Sequence, residues 1–227
     1  MFSLPKIGKI EKTQGGDILN RIKTKRSILA AVIICFLAIA VLIGFLFWHN
    51  SQRLNPMSEA EKALRQQFVA TAEKWLGCKE EDGSHQPIID LYNSHLPLAR
   101  GYTVKYDDAW CATFVSTVAI ECTLTDIIPT ECGCQKQIEL FQNLNAWQED
   151  DSYIPSPGDI IYYSTSGSKE SGDNEGWSDH VGIVVSVRGR YITTIEGNYN
   201  GQVAYRHLWV GDDLIRGYGL PDFASKV

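Results

Sequence analysis

The chain has 227 residues, of which 44% are hydrophobic, and its 21 Lys and Arg against 27 Asp and Glu give a formal net charge of −6. The charge is unevenly divided, because residues 1–26 carry seven basic and two acidic residues while the remainder carries 14 basic and 25 acidic residues. An acidic domain gains nothing from the phosphate backbone of a nucleic acid, so we expect no nucleic-acid binding.

An uncharged apolar stretch of 22 residues follows the basic tail and covers residues 27–48. As a helix rising about 1.5 Å per residue it would be about 33 Å long, close to the hydrocarbon thickness of a bilayer. A cleavable signal peptide is the alternative, but its apolar region spans only about 7–15 residues and ends at a small-residue site. The residues that follow this stretch, His49 to Arg53, contain no such site. We therefore predict a single retained transmembrane helix.

The basic residues predict how this helix is oriented. They precede the apolar stretch in a short segment, and such segments stay in the cytoplasm. The folded domain is then expected outside the cytoplasm at the cell membrane, where its roughly 170 residues suffice for one core. The predicted organisation is a basic cytoplasmic tail at 1–26, a transmembrane helix at 27–48, a tether at 49–57 and one folded domain at 58–227.

Helical signals fill the first half of the folded domain. Ser58 with Glu61 three residues later predicts a capping box, and the helix that it opens should run to residues 75–76, before Gly77. Further helices are predicted at 86–92 with Pro87 at the first position, at 109–121 with Asp107 or Asp108 as the cap, and at 135–144.

From Gly158 onward the period of the hydrophobic residues changes to two, which predicts β-strands. Helices followed by an antiparallel sheet constitute an α+β fold. The strands are expected at 159–163, 180–187, 191–196, 202–207 and 214–218.

Cys111 stands at the predicted start of the third helix. The unpaired amides and the positive dipole end of a helix N-terminus favour the thiolate, which is the reactive form of cysteine. An alternative follows from Phe114, Val115, Val118 and Cys122, which form one apolar stripe with Cys111. Because free cysteine is among the most buried residue types, this stripe alone predicts a core position.

His180 opens a predicted strand and supplies a general base for such a thiol. Gly182 lies on the same face of the strand and leaves room beside the imidazole. Glu196 and Asn198 end the next strand and also share a face, because they are two residues apart. The remaining histidines are interpreted as surface residues: His49, His85, His95 and His207.

The loop between these two strands decides whether the histidine meets the two polar residues. A three-residue loop places His180 opposite Asn198 and Gly182 opposite Glu196, and a five-residue loop places His180 opposite Glu196. A two-residue loop puts the histidine and both partners on opposite faces. A catalytic triad therefore requires an odd loop or a β-bulge, and Gly189 permits the left-handed conformation that three-residue loops use.

Four motifs occur in order along the chain: Trp-Cys-Ala-x-Phe-Val at 110–115, Pro-Gly-Asp-Ile-Ile-Tyr-Tyr at 157–163, Asp-His-Val-Gly-Ile-Val at 179–184 and Ile-Glu-Gly-Asn at 195–198. With these motifs the sequence resembles the CHAP family, the cysteine, histidine-dependent amidohydrolase/peptidases of bacterial and phage cell-wall lysis. The resemblance covers roughly residues 64–221.

The resemblance implies a papain-like α+β fold, with the nucleophile on a helix packed against the sheet. It implies that Cys111 is the nucleophile, His180 the base, Glu196 the group that orients His180, and Asn198 an auxiliary polar residue. Family members cut the bond between glycan and stem peptide or bonds within the peptides and cross-bridges, and the sequence leaves both open. The expected function is a membrane-anchored peptidoglycan hydrolase, either an N-acetylmuramoyl-L-alanine amidase or a peptide or cross-bridge endopeptidase.

Two other functions compete with this one. The first is a catalytically idle module that binds the wall or a partner on the same fold, since fold does not determine function. The presence of a nucleophile, a base and an orienting group argues against it. The second is an amidase of a small soluble substrate, against which the predicted anchor argues.

The six cysteines need separate interpretations. Cys35 lies in the predicted span, and Cys111 must remain a free thiol for catalysis. The other four cysteines allow three disulfide pairings. The pairing that joins the two cysteines of Cys-Gly-Cys is disfavoured because a single residue separates them. Free thiols and a structural zinc site remain as alternatives, although Cys-Gly-Cys lacks the spacing usual for zinc. The disulfide candidates are Cys78, Cys122, Cys132 and Cys134.

No cofactor is expected. An acidic loop that contains Asp173, Glu175 and Asp179 precedes His180, and some CHAP domains bind calcium through acidic loops. This loop lacks the regular ladder of carboxylates that a calcium loop shows, so we interpret it as a solvated acidic loop.

Aromatic residues neighbour the motifs and could line a groove for sugar or peptide: Trp110, Trp177 and Tyr199. Packing in the core explains aromatic side chains at these positions equally well.

Overall fold

A computed structural model describes residues 37, 39–43, 57–150, 152–165 and 177–227. The residues from Met57 to Val227 form one compact unit, and the sections below concern this unit. Among the described residues, no helix is both long enough and apolar enough to cross a membrane. The predicted span at 27–48 lies outside the described residues except for 37 and 39–43, which are helical and exposed.

Four α-helices precede the main strands. The first begins as predicted, because the Ser58 hydroxyl accepts a hydrogen bond from Glu61 N at 3.0 Å. It ends before residues 75–76, the predicted end, and the chain then turns at Gly77 with a φ of +86°. The helices are α1 (Glu59–Glu73), α2 (Gln86–Ser94), α3 (Cys111–Glu121) and α4 (Cys134–Asn143), and short 3-10 helices occupy Ala99–Gly101 and Phe223–Lys226.

The strands form one antiparallel sheet in the order β1-β6-β2-β3-β4-β5. The α+β architecture is confirmed, and each predicted strand overlaps an observed one. The sequence analysis missed β1, because two residues are too few to show an alternating pattern. The strands are β1 (Trp147–Gln148), β2 (Ile160–Tyr163), β3 (His180–Arg188), β4 (Tyr191–Glu196), β5 (Ala204–Trp209) and β6 (Ile215–Gly219).

Both faces of the sheet are buried at its centre, so β2 reads as the uninterrupted run Ile-Ile-Tyr-Tyr. One face packs on the helices and forms the main core, which includes Phe68 of α1, Phe114 of α3, and Ile160, Tyr162, Val181, Ile183 and Ile195 of the strands. The other face carries a smaller apolar cluster, which includes Ile161, Tyr163, Val184, Ile192 and Leu208.

The β3–β4 hairpin has a two-residue loop and a bulge. Arg188 pairs with Tyr191, which leaves Gly189 and Arg190 in the loop, and Gly189 has a φ of +64°. The register then shifts between Val184 and Ser186, where β3 has one extra residue. With this β-bulge His180 and Glu196 lie on the same face of the sheet, whereas a two-residue loop alone would put them on opposite faces. The requirement for an odd loop or a bulge is thus met by the bulge, and not by the three-residue loop.

The start of α3 differs from the prediction. Neither Asp107 nor Asp108 caps the helix, and no side chain among the described residues does so. The Asp108 carboxylate instead accepts hydrogen bonds from Lys105 N and the Tyr102 hydroxyl, both at 2.8 Å. No capping side chain therefore covers the start of α3, where Cys111 stands.

An ion pair joins α1 to the turn before β2. Arg65 Nη1 lies 2.9 Å from Asp159 Oδ1 and also donates to Pro157 O at 3.1 Å. The turn itself uses Gly158, whose φ is +90°. Burial raises the pKa of Asp159 although Arg65 opposes this effect. The Pro-Gly-Asp motif is thus a structural element that attaches the sheet to the first helix.

Candidate active site

Cys111 is the first residue of α3, and 4% of its surface is exposed. Its pKa lies well below the usual value of a thiol. The largest cause is a hydrogen bond from Cys134, whose Sγ lies 3.5 Å away, and burial opposes it. A hydrogen bond and the charge of His180, together with the Ala112 amide, lower the pKa of Cys111 further. The local chemistry therefore favours a thiolate at this position.

His180 is the first residue of β3 and interacts with both Cys111 and Glu196. Its Nε2 lies 2.8 Å from Glu196 Oε2, so Nδ1 is the ring nitrogen that this hydrogen bond does not use. Burial lowers the pKa of His180, but its hydrogen bonds with Cys111 and Glu196 and their charges outweigh burial and raise the pKa to about 9. A thiolate–imidazolium pair is therefore the favoured state of the two side chains near neutral pH.

The Glu196 carboxylate is fully buried and is surrounded by four donors. Its Oε2 accepts from His180 and from Arg206 Nε at 3.0 Å, and its Oε1 accepts from the Tyr163 hydroxyl and Thr194 Oγ1, both at 2.7 Å. Burial raises the pKa of Glu196, but His180, Arg206 and Thr194 outweigh it and lower the pKa below its usual value. The carboxylate is thus held charged and in one position.

Sequence reasoning missed three residues of this network: Tyr163, Thr194 and Arg206. A partial signal was available, since Thr194 is two residues before Glu196 and so shares its face of β4. Arg206 pairs with Thr194 across β4 and β5, and Tyr163 pairs with His180 across β2 and β3. These two pairings depend on strand register, which the alternating pattern does not supply.

Two glycines of the motifs allow neighbouring elements of the site to approach each other closely. A Cβ on Gly182 would lie 2.5 Å from Glu196 Cγ, so the carboxylate can occupy its position only because this residue has no side chain. A Cβ on Gly197 would clash with Phe114 and with the indole of Trp110, at 2.9 Å from the latter. The absence of side chains here brings the end of β4 against the first turns of α3, and hence His180 and Glu196 toward Cys111.

Asn198 has a different position from the other three predicted catalytic residues. With its amide oriented to satisfy both neighbours, the nitrogen donates to Glu80 Oε1 at 3.0 Å and the oxygen accepts from Trp110 N at 3.2 Å. Trp110 Nε1 also donates to Glu80 Oε1, at 2.9 Å. Asn198 therefore connects the segment after β4 to the residue before Cys111, and the described contacts do not join it to His180.

The three aromatic groove candidates have different environments. Trp110 is fully buried, so it presents no surface to a groove, whereas 67% of Trp177 is exposed. Tyr199 is half-buried, its ring centroid lies 6.3 Å from that of His180, and the Arg206 guanidinium lies 4.3 Å from it. An open cavity of about 780 Å³ borders Glu80, beside Trp110, and its other lining residues include His85, Asp90, Lys105 and Tyr106.

The five described cysteines are free thiols: Cys78, Cys111, Cys122, Cys132 and Cys134. The structure therefore contains none of the disulfides that were considered. Cys134 lies beside Cys111 rather than beside another candidate. Cys132 Sγ accepts from Arg100 Nη2 at 3.2 Å. Cys134, which the sequence analysis treated as one of four disulfide candidates, is thus a neighbour of the proposed nucleophile.

No group of three or more His, Cys, Asp or Glu side chains that could hold a metal ion occurs within the described ranges. Asp173 and Glu175 of the acidic loop lie outside those ranges. The third acidic residue, Asp179, accepts a hydrogen bond from Thr165 N at 2.8 Å.

Comparisons with known proteins give a family match for part of the chain. Residues 101–198 match the family model of the CHAP domain. Among solved structures, the crystal structure of Ly7917 with the hydrolyzing product of MDP is 19% identical, with 49% of this chain and 53% of that chain covered and a TM-score of 0.34. The crystal structure of Ly7917 is 14% identical, with 70% of this chain and 62% of that chain covered and a TM-score of 0.40. The chain thus spans less than two thirds of these structures, and no curated protein matches it.

Proposed function

We propose, from the match of residues 101–198 to the CHAP domain and from the geometry of the site, that the protein is a cysteine hydrolase of amide bonds in peptidoglycan. One observation carries the proposal. Cys111 at an uncapped helix start interacts with His180, whose Nε2 lies 2.8 Å from the buried Glu196 carboxylate. Nucleophile, base and orienting group are the parts that acyl transfer through a thiol requires.

The reaction begins at Cys111. Its thiolate attacks the carbonyl carbon of the amide, and the carbonyl oxygen takes up the negative charge. The amide groups at the start of α3 that no side chain caps are suited to stabilise this charge. The imidazolium of His180 then gives its proton to the leaving nitrogen, and the C–N bond breaks to leave a thioester on Cys111.

Water completes the cycle. Neutral His180 takes a proton from a water molecule, whose oxygen attacks the thioester carbon. The carbon–sulfur bond breaks, the carboxylic acid product leaves, and the thiolate and imidazolium are restored. The products are one amine and one carboxylic acid, which holds both for an N-acetylmuramoyl-L-alanine amidase and for a peptide or cross-bridge endopeptidase.

Glu196 and Arg206 are positioning residues in this mechanism. Glu196 holds the imidazole by Nε2 and stabilises its charged form, so that Nδ1 is the ring nitrogen left to exchange a proton with the thiol. Arg206 donates to the same carboxylate oxygen from β5, and its guanidinium lies over the rings of Tyr163 and Tyr199 at 4.7 and 4.3 Å. This stacking keeps the guanidinium in place beside Glu196.

We also propose that the catalytic domain is anchored to the cell membrane by the apolar stretch at 27–48 and lies outside the cytoplasm. The uncharged sequence and the basic residues before it support this topology. An anchor would hold the enzyme near the wall at a high effective concentration. Protease added to intact spheroplasts should remove the catalytic domain, and complete protection would contradict this orientation.

The catalytic assignment is tested with purified cell wall and four variants of the full chain. Cys111→Ala and His180→Ala should each abolish hydrolysis, and the double variant should be scarcely worse than either one, because the two groups act as a unit. Cys122→Ala is the matched control, since Cys122 follows the other end of α3, and it should retain activity. The new chemical ends in the digested wall identify the bond that is cut. Undiminished hydrolysis by Cys111→Ala would refute the cysteine mechanism, whereas a wild-type chain that binds the wall without hydrolysing it would favour a binding module.

A further inference from the structure

Cys134 places a second thiol beside the proposed nucleophile. The two Sγ atoms are 3.5 Å apart, although the residues are separated by 23 positions in the sequence. Each cysteine is the first residue of a helix, Cys111 in α3 and Cys134 in α4. Hydrolysis of an amide needs only one thiol, so the proposed mechanism leaves Cys134 without a chemical step.

The contact between the two sulfurs shifts their pKa values in opposite directions. The hydrogen bond with Cys111, together with burial and the charge of Cys111, raises the pKa of Cys134 well above that of an ordinary thiol. The same hydrogen bond is the largest cause that lowers the pKa of Cys111. These directions favour a thiolate at Cys111 and a thiol at Cys134. A thiolate that a substrate can reach is also the form of cysteine that peroxides oxidise.

We propose that Cys134 is a resolving thiol, which converts the peroxide-oxidised nucleophile into a reversible Cys111–Cys134 disulfide. This inference concerns regulation of the proposed active site and rests on the proposed function. The geometry supports it because the sulfurs need to approach by only about 1.5 Å to reach the disulfide bond length of about 2.05 Å.

The chemistry balances with hydrogen peroxide as the oxidant. The Cys111 thiolate attacks one peroxide oxygen, the O–O bond breaks, and hydroxide leaves while Cys111 becomes a sulfenic acid. The sulfur of Cys134 then attacks the sulfenic sulfur, the S–S bond forms, and the sulfenic oxygen leaves as water with the proton of the thiol. The Cys111 thiolate and the Cys134 thiol lose two electrons in total, and one peroxide gains them and becomes one hydroxide ion and one water molecule.

The disulfide would remove the nucleophile from catalysis and protect it from further oxidation. A sulfenic acid with no nearby thiol proceeds to sulfinic and sulfonic acids, which ordinary thiol reductants do not reverse. A disulfide, in contrast, is reduced by thiol exchange, which returns Cys111 to the thiolate. Cys132 is a suitable control, because it is two residues from Cys134 and its Sγ is held by Arg100 at 3.2 Å.

The test treats the purified full chain with hydrogen peroxide and follows two independent readouts: peptide mapping by mass spectrometry without reduction, and cell-wall hydrolysis before and after dithiothreitol. The wild type should lose two hydrogens, yield one linked peptide that contains Cys111 and Cys134, and recover its hydrolysis after reduction. Cys132→Ala should behave in the same way. Cys134→Ser should accumulate Cys111 with two or three added oxygen atoms, and dithiothreitol should not reverse this change.

Peptide mapping also separates this inference from the proposed function. A linked Cys111–Cys134 peptide in a chain that hydrolyses no wall would support the disulfide and overturn the proposed function. Wild-type protein that hydrolyses the wall but accumulates sulfinic acid at Cys111 as readily as Cys134→Ser would overturn the resolving role. A disulfide between Cys134 and any other cysteine would overturn it as well.

Discussion

Removing the charge of Arg206 should raise the pH at which the activity falls on the alkaline side. Arg206 Nε and His180 Nε2 contact the same Glu196 oxygen at 3.0 and 2.8 Å, so the two nitrogens are at most about 6 Å apart. At this separation the guanidinium opposes protonation of the imidazole. Without it, the imidazolium beside the Glu196 carboxylate becomes more stable, and the pKa of His180 rises above its value of about 9.

The size of the shift follows from Coulomb's law. At an effective dielectric constant of about 20, two unit charges about 6 Å apart interact by about 2.8 kcal/mol, which corresponds to about two pKa units. Because the guanidinium charge is spread over three nitrogens, only one of which is at this distance, we expect a rise in the pKa of His180 of about one to two units. His180 must be protonated to act on the leaving nitrogen, so the alkaline limb should move by the same amount.

The measurement is the pH profile of kcat/KM for wall hydrolysis, which reports the groups of the free enzyme. Arg206→Met removes the charge and should shift the alkaline limb, whereas Arg206→Lys keeps the charge and should leave the limb near its wild-type position. Arg216→Met is the control for the loss of a buried arginine elsewhere in the sheet, where Arg216 pairs with Glu149 at 2.7 Å. If Arg206→Met lowers the rate equally at every pH and its limb does not move, Arg206 acts only through packing.

Two further predictions concern Gly182, a motif residue, and Arg65, the ion-pair partner of a motif residue, neither of which performs chemistry. Gly182→Ala places a methyl group 2.5 Å from Glu196 Cγ, so we expect the carboxylate to shift. As a result kcat/KM should fall by about tenfold or more, and the free energy of unfolding should fall by about 1–3 kcal/mol. An unchanged kcat/KM in this variant would show that the position of the carboxylate is unimportant. Arg65→Met leaves the buried Asp159 carboxylate without its cation, a change that costs about 3–5 kcal/mol and should lower the Tm by roughly 6–15 °C. Asp159→Asn in the same chain should recover part of this loss, and a Tm close to that of the wild type in Arg65→Met alone would contradict the role of the ion pair.

Local signals predicted the elements correctly where the pattern is complete within one segment. The Ser58 cap of α1, the Pro87 start of α2 and the alternation in β3 and β4 each depend on residues within a few positions of one another. The cap of α3 was predicted wrongly, because Asp108 binds Lys105 N and the Tyr102 hydroxyl instead. An Asp beside a helix start has several competing donors, and the path of the preceding loop determines which of them it meets.

The hairpin shows where sequence reasoning stops. Parity alone established that a triad of Cys111, His180 and Glu196 needs an odd loop or a bulge, since side chains alternate between the faces of a strand. It did not distinguish the two solutions. The bulge between Val184 and Ser186 depends on how β3 is packed between its neighbours and on both of its faces, and no residue type marks it.

The sequence by itself determined the kinds of chemical group in this protein: a thiol at a helix start, an imidazole at a strand start and a carboxylate at the end of the next strand. These are properties of segments, and hydrophobic periodicity and motif order specify them. Only the tertiary structure decided that Arg206 shares the carboxylate with His180, that Asn198 holds the residue before Cys111, and that a second thiol lies beside Cys111. The reason is physical, because these contacts join segments far apart in the chain, and their geometry follows from strand register and helix packing rather than from local pattern.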